Sequence, residues 1–356
     1  MRHTGKQHVP KLPWSFHAVV LLLLSGCVSL PTAEELIDAP GPHLSANAPP
    51  GIVDDRARFR DYFCDSTDEC DRWLHRLADE PQAPATVPVE RAGLQVLFVT
   101  GAFSECFGES ARPFATAIEG LEGGPDRFGT VVVGGRSGTA HNAAQIASYL
   151  ENHPADRNVP LVLVGYSKGT SDILQFLVDY PGQAAEVDAV VSIAGAIGGS
   201  PLADRFGGLY NLTFSHLPSG RCEKGDGDVV SSLKTDMRRA WLKDNALPAH
   251  VRYYSFAAFT TRERMARALV PSWEMLLKYD RRNDGQLLPR DALLPHSTLL
   301  GYLNADHWAV AMHLEDDLEF FAARKDPAHF PHTALLEAIV RYVGEDVVTG
   351  YARPGR

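Results

Sequence analysis

Short apolar runs alternate with helical repeats through the middle of the chain. Leu94 to Val99 is apolar apart from Gln95. Thr130 to Val133, Leu161 to Val164, Val187 to Ile193, Val251 to Phe256 and Leu299 to Leu303 continue the series. Runs this short and this lacking in polar alternation suit strands buried on both faces of a parallel sheet. Between them, apolar residues recur at helical spacing. Phe114 to Leu121 is one such stretch, with Pro113 tolerated before the first turn, and Ala143 to Leu150 is another. Ile173, Leu174, Phe176, Leu177 and Tyr180 give a third helix its apolar face. Further helices are expected over Ser231 to Trp241, over Arg262 to Leu277 with an interruption near Pro271, and over Ala334 to Val343. The alternation predicts an α/β fold, with a mostly parallel central sheet flanked by helices on both faces.

The rhythm fails in three places. At the N-terminus, Arg2, Lys6 and Lys11 precede the apolar run Phe16 to Leu24. That run is too short for a comfortable membrane span and reads as an export signal over residues 1–26. Residues 27–56 hold Pro31, Pro40, Pro42, Pro49 and Pro50 and are expected to form a flexible tether. The folded domain would then occupy residues 57–356. It would start with one or two short helices over 57–79, before Pro81, Pro84 and Pro88. Within 196–248, glycines, aromatics and charges mix without a period. An insertion there would sit above the strand ends, where open α/β sheets bind their ligands.

The chemistry starts where a strand pattern meets a helix pattern. Leu161 to Val164 runs into Gly165-Tyr166-Ser167-Lys168-Gly169, and the helical repeat begins directly after. A serine wedged between strand and helix needs a sharp turn with small neighbours, and it ends near the positive end of the helix. The stretch resembles the nucleophile elbow of the α/β-hydrolase superfamily. That resemblance spans roughly Leu94 to Ala311 and implies an α/β-hydrolase fold with a cap over residues 196–248. In such an enzyme a serine is followed in the chain by an acid and then a histidine. Asp284, in Asn283-Asp284-Gly285, looks like the acid loop of lipase-like members; Asp280 and Asp291 are nearby alternatives. His307, in Asp306-His307-Trp308 after the last core strand, is the expected base, with His296 and His313 as competitors. Asp306 itself needs no catalytic role. The oxyanion donors would be the backbone N–H of Lys168 and that of Ala102 or Phe103, in the loop Thr100-Gly101-Ala102-Phe103. The Lys168 side chain is expected at the surface or near the cleft. Phe103, Phe107, Leu209 and Phe214 are candidates for an apolar acyl site. The implied reaction is carboxylic-ester hydrolysis through an acyl-enzyme, on a lipid, acyl or small-molecule ester. A silent lipid-binding or assembly lipoprotein on the same fold, and a transacylase or peptidase using the same triad, are the rival readings.

Composition narrows the field. The 356 residues are 45% hydrophobic and 9% aromatic, as a globular domain requires. A net charge of -10 with no basic patch excludes a nucleic-acid partner. Gly134-Gly135-Arg136-Ser137-Gly138 lacks the spacing of a phosphate-binding loop, and no H-E-x-x-H occurs, so neither cofactor nor metal is called for. Leu24-Ser25-Gly26-Cys27 resembles a bacterial lipoprotein box. It implies cleavage before Cys27, lipid on that cysteine, and anchoring in the cell envelope. With Val28 following, the outer membrane is the expected address. Export permits disulfides among Cys64, Cys70, Cys106 and Cys222, and three pairings are open. The short polar spacer favours Cys64 with Cys70, which would leave Cys106 with Cys222.

Overall fold

The computed structural model describes residues 29–82, 93–107, 112–121, 127–205, 225–312 and 329–350. Seven strands form its sheet: β1 (Val53–Asp54), β2 (Gln95–Val99), β3 (Phe128–Val131), β4 (Leu161–Tyr166), β5 (Val187–Ile193), β6 (Arg252–Ala258) and β7 (Thr298–Leu303). Their order is β1-β7-β6-β5-β4-β2-β3, and every neighbouring pair is parallel. The chain lays β3 outside β2, then crosses back over β2 to place β4. Beyond that point strand order runs the other way, so the loops after β2 and β4 leave the sheet at a switch point, where a ligand crevice opens.

The uninterrupted apolar strands have a simple cause. Along β4, Val162, Val164 and Tyr166 enter one core layer, while Leu161 and Leu163 enter the other. Both faces are covered. Helix His332–Gly350 and helix Arg56–Ser66 contribute Leu335, Ile339, Val343, Phe59 and Phe63 to the first layer. Helices Thr139–Asn152 and Lys168–Asp179 contribute Ile146, Leu150, Ile173, Leu174 and Leu177 to the second. A side chain of this size contributes roughly 1.5–3 kcal/mol when fully buried, so the two layers dominate stability. No described helix is long and apolar enough to cross a membrane.

The flexible tether expected over 27–56 is corrected from Pro31 onward, where the compact unit begins. Helix Ala33–Asp38 starts at a capping box: the Glu35 N–H donates to Thr32 Oγ1 (3.2 Å), and the Thr32 N–H donates to Glu35 Oε2 (3.0 Å). Leu36 is buried against Leu77, Phe259, Leu293 and Tyr302. β1 then pairs with the edge of β7, Val53 opposite Thr298. The prolines mark turns between docked pieces: Pro42 opens a short 3-10 helix, a position that needs no N–H partner. Pro271 is corrected for the same reason. It sits in the first turn of helix Val270–Leu276 and starts that helix instead of interrupting one.

Cys64 and Cys70 form a disulfide, with Cα atoms 5.0 Å apart, which joins helix Arg56–Ser66 to helix Cys70–Trp73. The Cys106 side chain, Cys222, Phe107's ring, Leu209, Phe214, His313, Cys27 and the signal segment lie outside the described residues. So does the centre of the 196–248 insertion. Its described flanks pack inward: Ala203, Val229 and Val230 form a small core with Phe103 of the loop after β2.

Candidate active site

β4 ends at Tyr166, and Ser167 takes φ 52° and ψ −126° before helix Lys168–Asp179 starts. A side chain in that region of backbone space is strained and must be held by its surroundings. The Ser167 N–H donates to Ile193 O (3.2 Å), and Ser167 O accepts from the N–H groups of Thr170 (3.2 Å) and Ala196 (2.9 Å). The motif glycines are set by close approach. A Cβ on Gly169 would lie 2.4 Å from Val99 O, and one on Gly165 would lie 2.5 Å from Thr170 Cα. Only with both positions bare does the helix sit tightly against the ends of β2 and β4.

Two later loops converge on Ser167. His307 follows β7, and its Nε2 is 2.8 Å from Ser167 Oγ. Its Nδ1 is 2.7 Å from Asp284 Oδ2. With Nδ1 donating to the carboxylate, Nε2 is the ring atom able to accept the serine proton. The second Asp284 oxygen accepts the N–H groups of Gln286 (2.8 Å) and Leu287 (2.6 Å), and Asp284 O accepts the His307 N–H (2.8 Å). Asn283 Oδ1 accepts the Gly285 N–H (3.0 Å), which tightens the same turn. All three side chains of Asn283, Asp284 and His307 are buried.

The rival residues sit elsewhere. Asp280 accepts the Arg282 N–H (2.9 Å) and Asp291 accepts from Arg239 (3.1 Å), while His296 lies before β7 with its ring against Gly51. Two residues that sequence reasoning did not single out as supports fix the histidine loop. Tyr166 donates its hydroxyl to His307 O (2.6 Å). Asp306 accepts the N–H groups of Ala266 (2.7 Å), Trp308 (3.0 Å) and Ala309 (2.9 Å). Burial pushes the Asp306 carboxyl up to about 6 against those three donors. The adjacency of Asp306 to His307 was the available signal for the second; the variable position of G-x-S-x-G offers none for the first.

The loop after β2 passes against Ser167, because a Cβ on Gly101 would lie 3.1 Å from Ser167 Cβ. Within it the two amide candidates separate. Phe103 takes φ 62°, and its N–H donates to Gly135 O (3.1 Å). That amide is committed, which corrects its nomination as an oxyanion donor and leaves Ala102. The Lys168 side chain is corrected too. It is fully buried, with Nζ 2.5 Å from Asp172 Oδ1 one helical turn on. Burial lowers the lysine's pKa and raises the aspartate's, and each charge opposes the other's shift.

Ala102, Phe103, Val230, Leu233, Leu287 and Met312 surround Ser167 and His307 in a largely apolar cleft of about 60 Å³. Elsewhere His43, Asp54 and Asp79 bring potential ligand atoms within 4.8 Å of one another. Arg56 Nη2 already donates to Asp54 Oδ2 (2.7 Å) and Asp79 Oδ2 (3.3 Å), so a guanidinium fills the cation's role there.

No protein-family model matches the chain, and no curated protein does. Among solved structures, the metagenomic carboxyl esterase MGS0156 aligns with a TM-score of 0.74 at 37% identity, covering 87% of this chain and 98% of that one. The mature lipase BlEst2 of Bacillus licheniformis aligns at 21% identity with a TM-score of 0.47, over 63% of this chain and 89% of that one. Identity of 37% along nearly the whole length of the first places this chain in that esterase's family: it belongs to the α/β-hydrolase superfamily, among its carboxyl-esterase-like members.

Proposed function

We propose that this hydrolase cleaves carboxylic esters, with Ser167 as nucleophile, His307 as base and Asp284 as orienting acid. The observation that carries the reading is the unbroken chain of contacts from Ser167 Oγ through His307 to Asp284, 2.8 and 2.7 Å long, opening on an apolar cleft. His307 Nε2 takes the hydroxyl proton as Ser167 Oγ attacks the ester carbonyl. The N–H groups of Lys168 and Ala102 receive the developing oxyanion. His307 then protonates the leaving alcohol, and water repeats the sequence on the acyl-enzyme. The apolar lining suits the hydrocarbon of an acyl group.

The test is turnover of p-nitrophenyl esters from acetate to palmitate by the full chain, with a fluorophosphonate probe run beside it. Ester turnover together with a probe adduct on the peptide holding Ser167 is expected. A folded protein with neither would overturn the reading in favour of a binding lipoprotein, and product analysis with added alcohol or amine would expose a transacylase.

Tyr166 should matter without touching substrate. Tyr166→Phe removes the hydroxyl that holds His307 O and is expected to lower kcat by roughly tenfold, as displaced catalytic groups do, with KM little changed. Equal kcat for the two proteins would remove Tyr166 from the account. We also propose export and lipid attachment at Cys27. Incorporation of an alkyne fatty acid by the full chain, lost in Cys27→Ser, is the expected outcome; equal incorporation would refute it.

A further inference from the structure

A second concavity, a groove of about 860 Å³, lies behind the cleft and has the size of a small-ligand site. Two strips of chain separate it from the cleft. Ala196 and Ser200 line the cleft, while Ile197 and Gly198 between them line the groove. Gln286 and Leu287 line the cleft, while Arg290 and Asp291 line the groove. The strips are stitched together: Ser200 Oγ donates to Gln286 O (2.6 Å), and the Gly198 N–H donates to Asp291 O (2.7 Å). The groove is therefore a site of its own, back to back with the cleft.

Part of its wall is hydrocarbon. Leu242, Leu247 and Tyr253 are half-buried there, each packed against the core on one side and open to the groove on the other. The charges in the wall are unequal. Arg239, Lys243, Arg252 and Arg290 stand against Asp291 and Asp346, in a chain whose net charge is -10. Two of the cations are matched. Arg239 Nη2 donates to Asp291 Oδ1 (3.1 Å), and Arg252 Nη1 lies 3.0 Å from Asp346 Oδ2. The other two are not. Lys243 is exposed and has no acidic partner among the described residues. Arg290 is half-buried, and its nearest carboxylate oxygens, on Asp280 and Asp291, stand 3.8 and 4.0 Å away, beyond hydrogen-bond reach. Its Nε has no hydrogen-bond partner among the described residues. Three of the cations share one end of the groove. Arg239 and Lys243 are one turn apart on helix Thr235–Asp244, and Arg239 meets Asp291, the chain neighbour of Arg290. A guanidinium with donors unused receives an anionic oxygen in a fork of charge-assisted bonds. Positive charge at one end and hydrocarbon beside it suit a ligand built the same way.

We propose that this groove binds a single-chain amphiphilic anion, with its carboxylate or phosphate on Arg290 beside Arg239 and Lys243, and its hydrocarbon along Leu242, Leu247 and Tyr253. Free fatty acids and phosphorylated lipids share that chemistry. The site does not depend on what Ser167 does.

The test is calorimetric titration of the full chain with dodecanoate, dodecyl phosphate and the uncharged dodecyl maltoside, all below their micelle concentrations. The anions are expected to bind about tenfold tighter than the maltoside, because only they can accept charge-assisted bonds. That advantage should shrink as salt is raised from about 50 to about 500 mM. Arg290→Gln should weaken the anions by about tenfold and the maltoside by less than about twofold. Lys243→Gln, at an exposed position, is the second variant and should weaken the anions by about threefold through its charge alone. A tighter dodecanoate marks a fatty acid as the occupant and a tighter dodecyl phosphate marks a phosphorylated lipid; either supports the site. Anions that bind no better than the maltoside overturn it, as does equal affinity in the parent and both variants. Anion binding abolished by a fluorophosphonate on Ser167 would put the ligand in the cleft and overturn it too.

Discussion

Replacing Ser167 by alanine is expected to lower kcat for every ester the protein hydrolyses by about 10⁴-fold or more, with the melting temperature nearly unchanged. The substitution deletes Oγ and nothing that holds the elbow. Alanine carries the same Cβ, so the strained φ of 52° costs it no more than it costs serine. The anchoring bonds at this position are all made by its backbone, to Ile193, Thr170 and Ala196. What goes is the atom 2.8 Å from His307 Nε2. The cleft and the two amides remain, so substrate still binds and some acceleration over water persists. His307→Ala should cost a similar factor, and the double variant no more than the worse single one, because nucleophile and base act as a unit. Steady-state kinetics with thermal melts by circular dichroism check this. A Ser167→Ala protein within about tenfold of its parent would exclude Ser167 as the nucleophile, since no triad serine is so dispensable.

Why some of this could be read from the chain and some could not is a matter of how local each cause is. β4, the elbow and the following helix are adjacent in sequence, and each needs its residue types for reasons within a few positions. Buried strands need apolar residues on both faces, and the turn needs bare glycines. The pairing of Asp284 with His307 spans 23 positions. It could be expected only because a polar turn and a post-strand histidine fell in the order the chemistry demands. The N-terminal segment looks like a tether in sequence because its prolines break every local period. Its order comes from Leu36 and β1 docking on partners more than 40 positions away, such as Tyr302 and Thr298, with a local cap at Thr32 starting the helix. The place of the Lys168 side chain is set by the helix Lys168–Asp179, which brings Asp172 one turn on to meet it, and by Asn142, 30 positions before Asp172, which donates to the other carboxylate oxygen. Phe103 and Ala102 are neighbours of equal promise in sequence, and a hydrogen bond to Gly135, 32 positions on, separates them.

Asp284→Asn is expected to lower kcat by about 10³- to 10⁴-fold while leaving the fold intact, and the reason lies in which atom each oxygen serves. The Asp284 oxygen that accepts the Gln286 and Leu287 amides has a counterpart in asparagine, whose carbonyl oxygen can take both bonds. The backbone bond from the His307 N–H to residue 284 is untouched. The turn therefore keeps its shape. The other oxygen, 2.7 Å from His307 Nδ1, becomes an NH₂ group. An amide donor there makes Nδ1 the acceptor and moves the ring proton to Nε2, the atom facing Ser167. The histidine then meets the hydroxyl with a proton of its own and cannot receive another. The imidazolium of the transition state also loses its negative neighbour. KM should move little, because the substituted atom points away from substrate. Asp280→Asn is the matched control: its carboxylate accepts the Arg282 N–H and has no contact with His307, so kcat should stay within about threefold of the parent, as for ordinary surface changes. A large loss at Asp280 with none at Asp284 would move the acid to the other side of the same turn and break the proposed order of Ser167, Asp284 and His307.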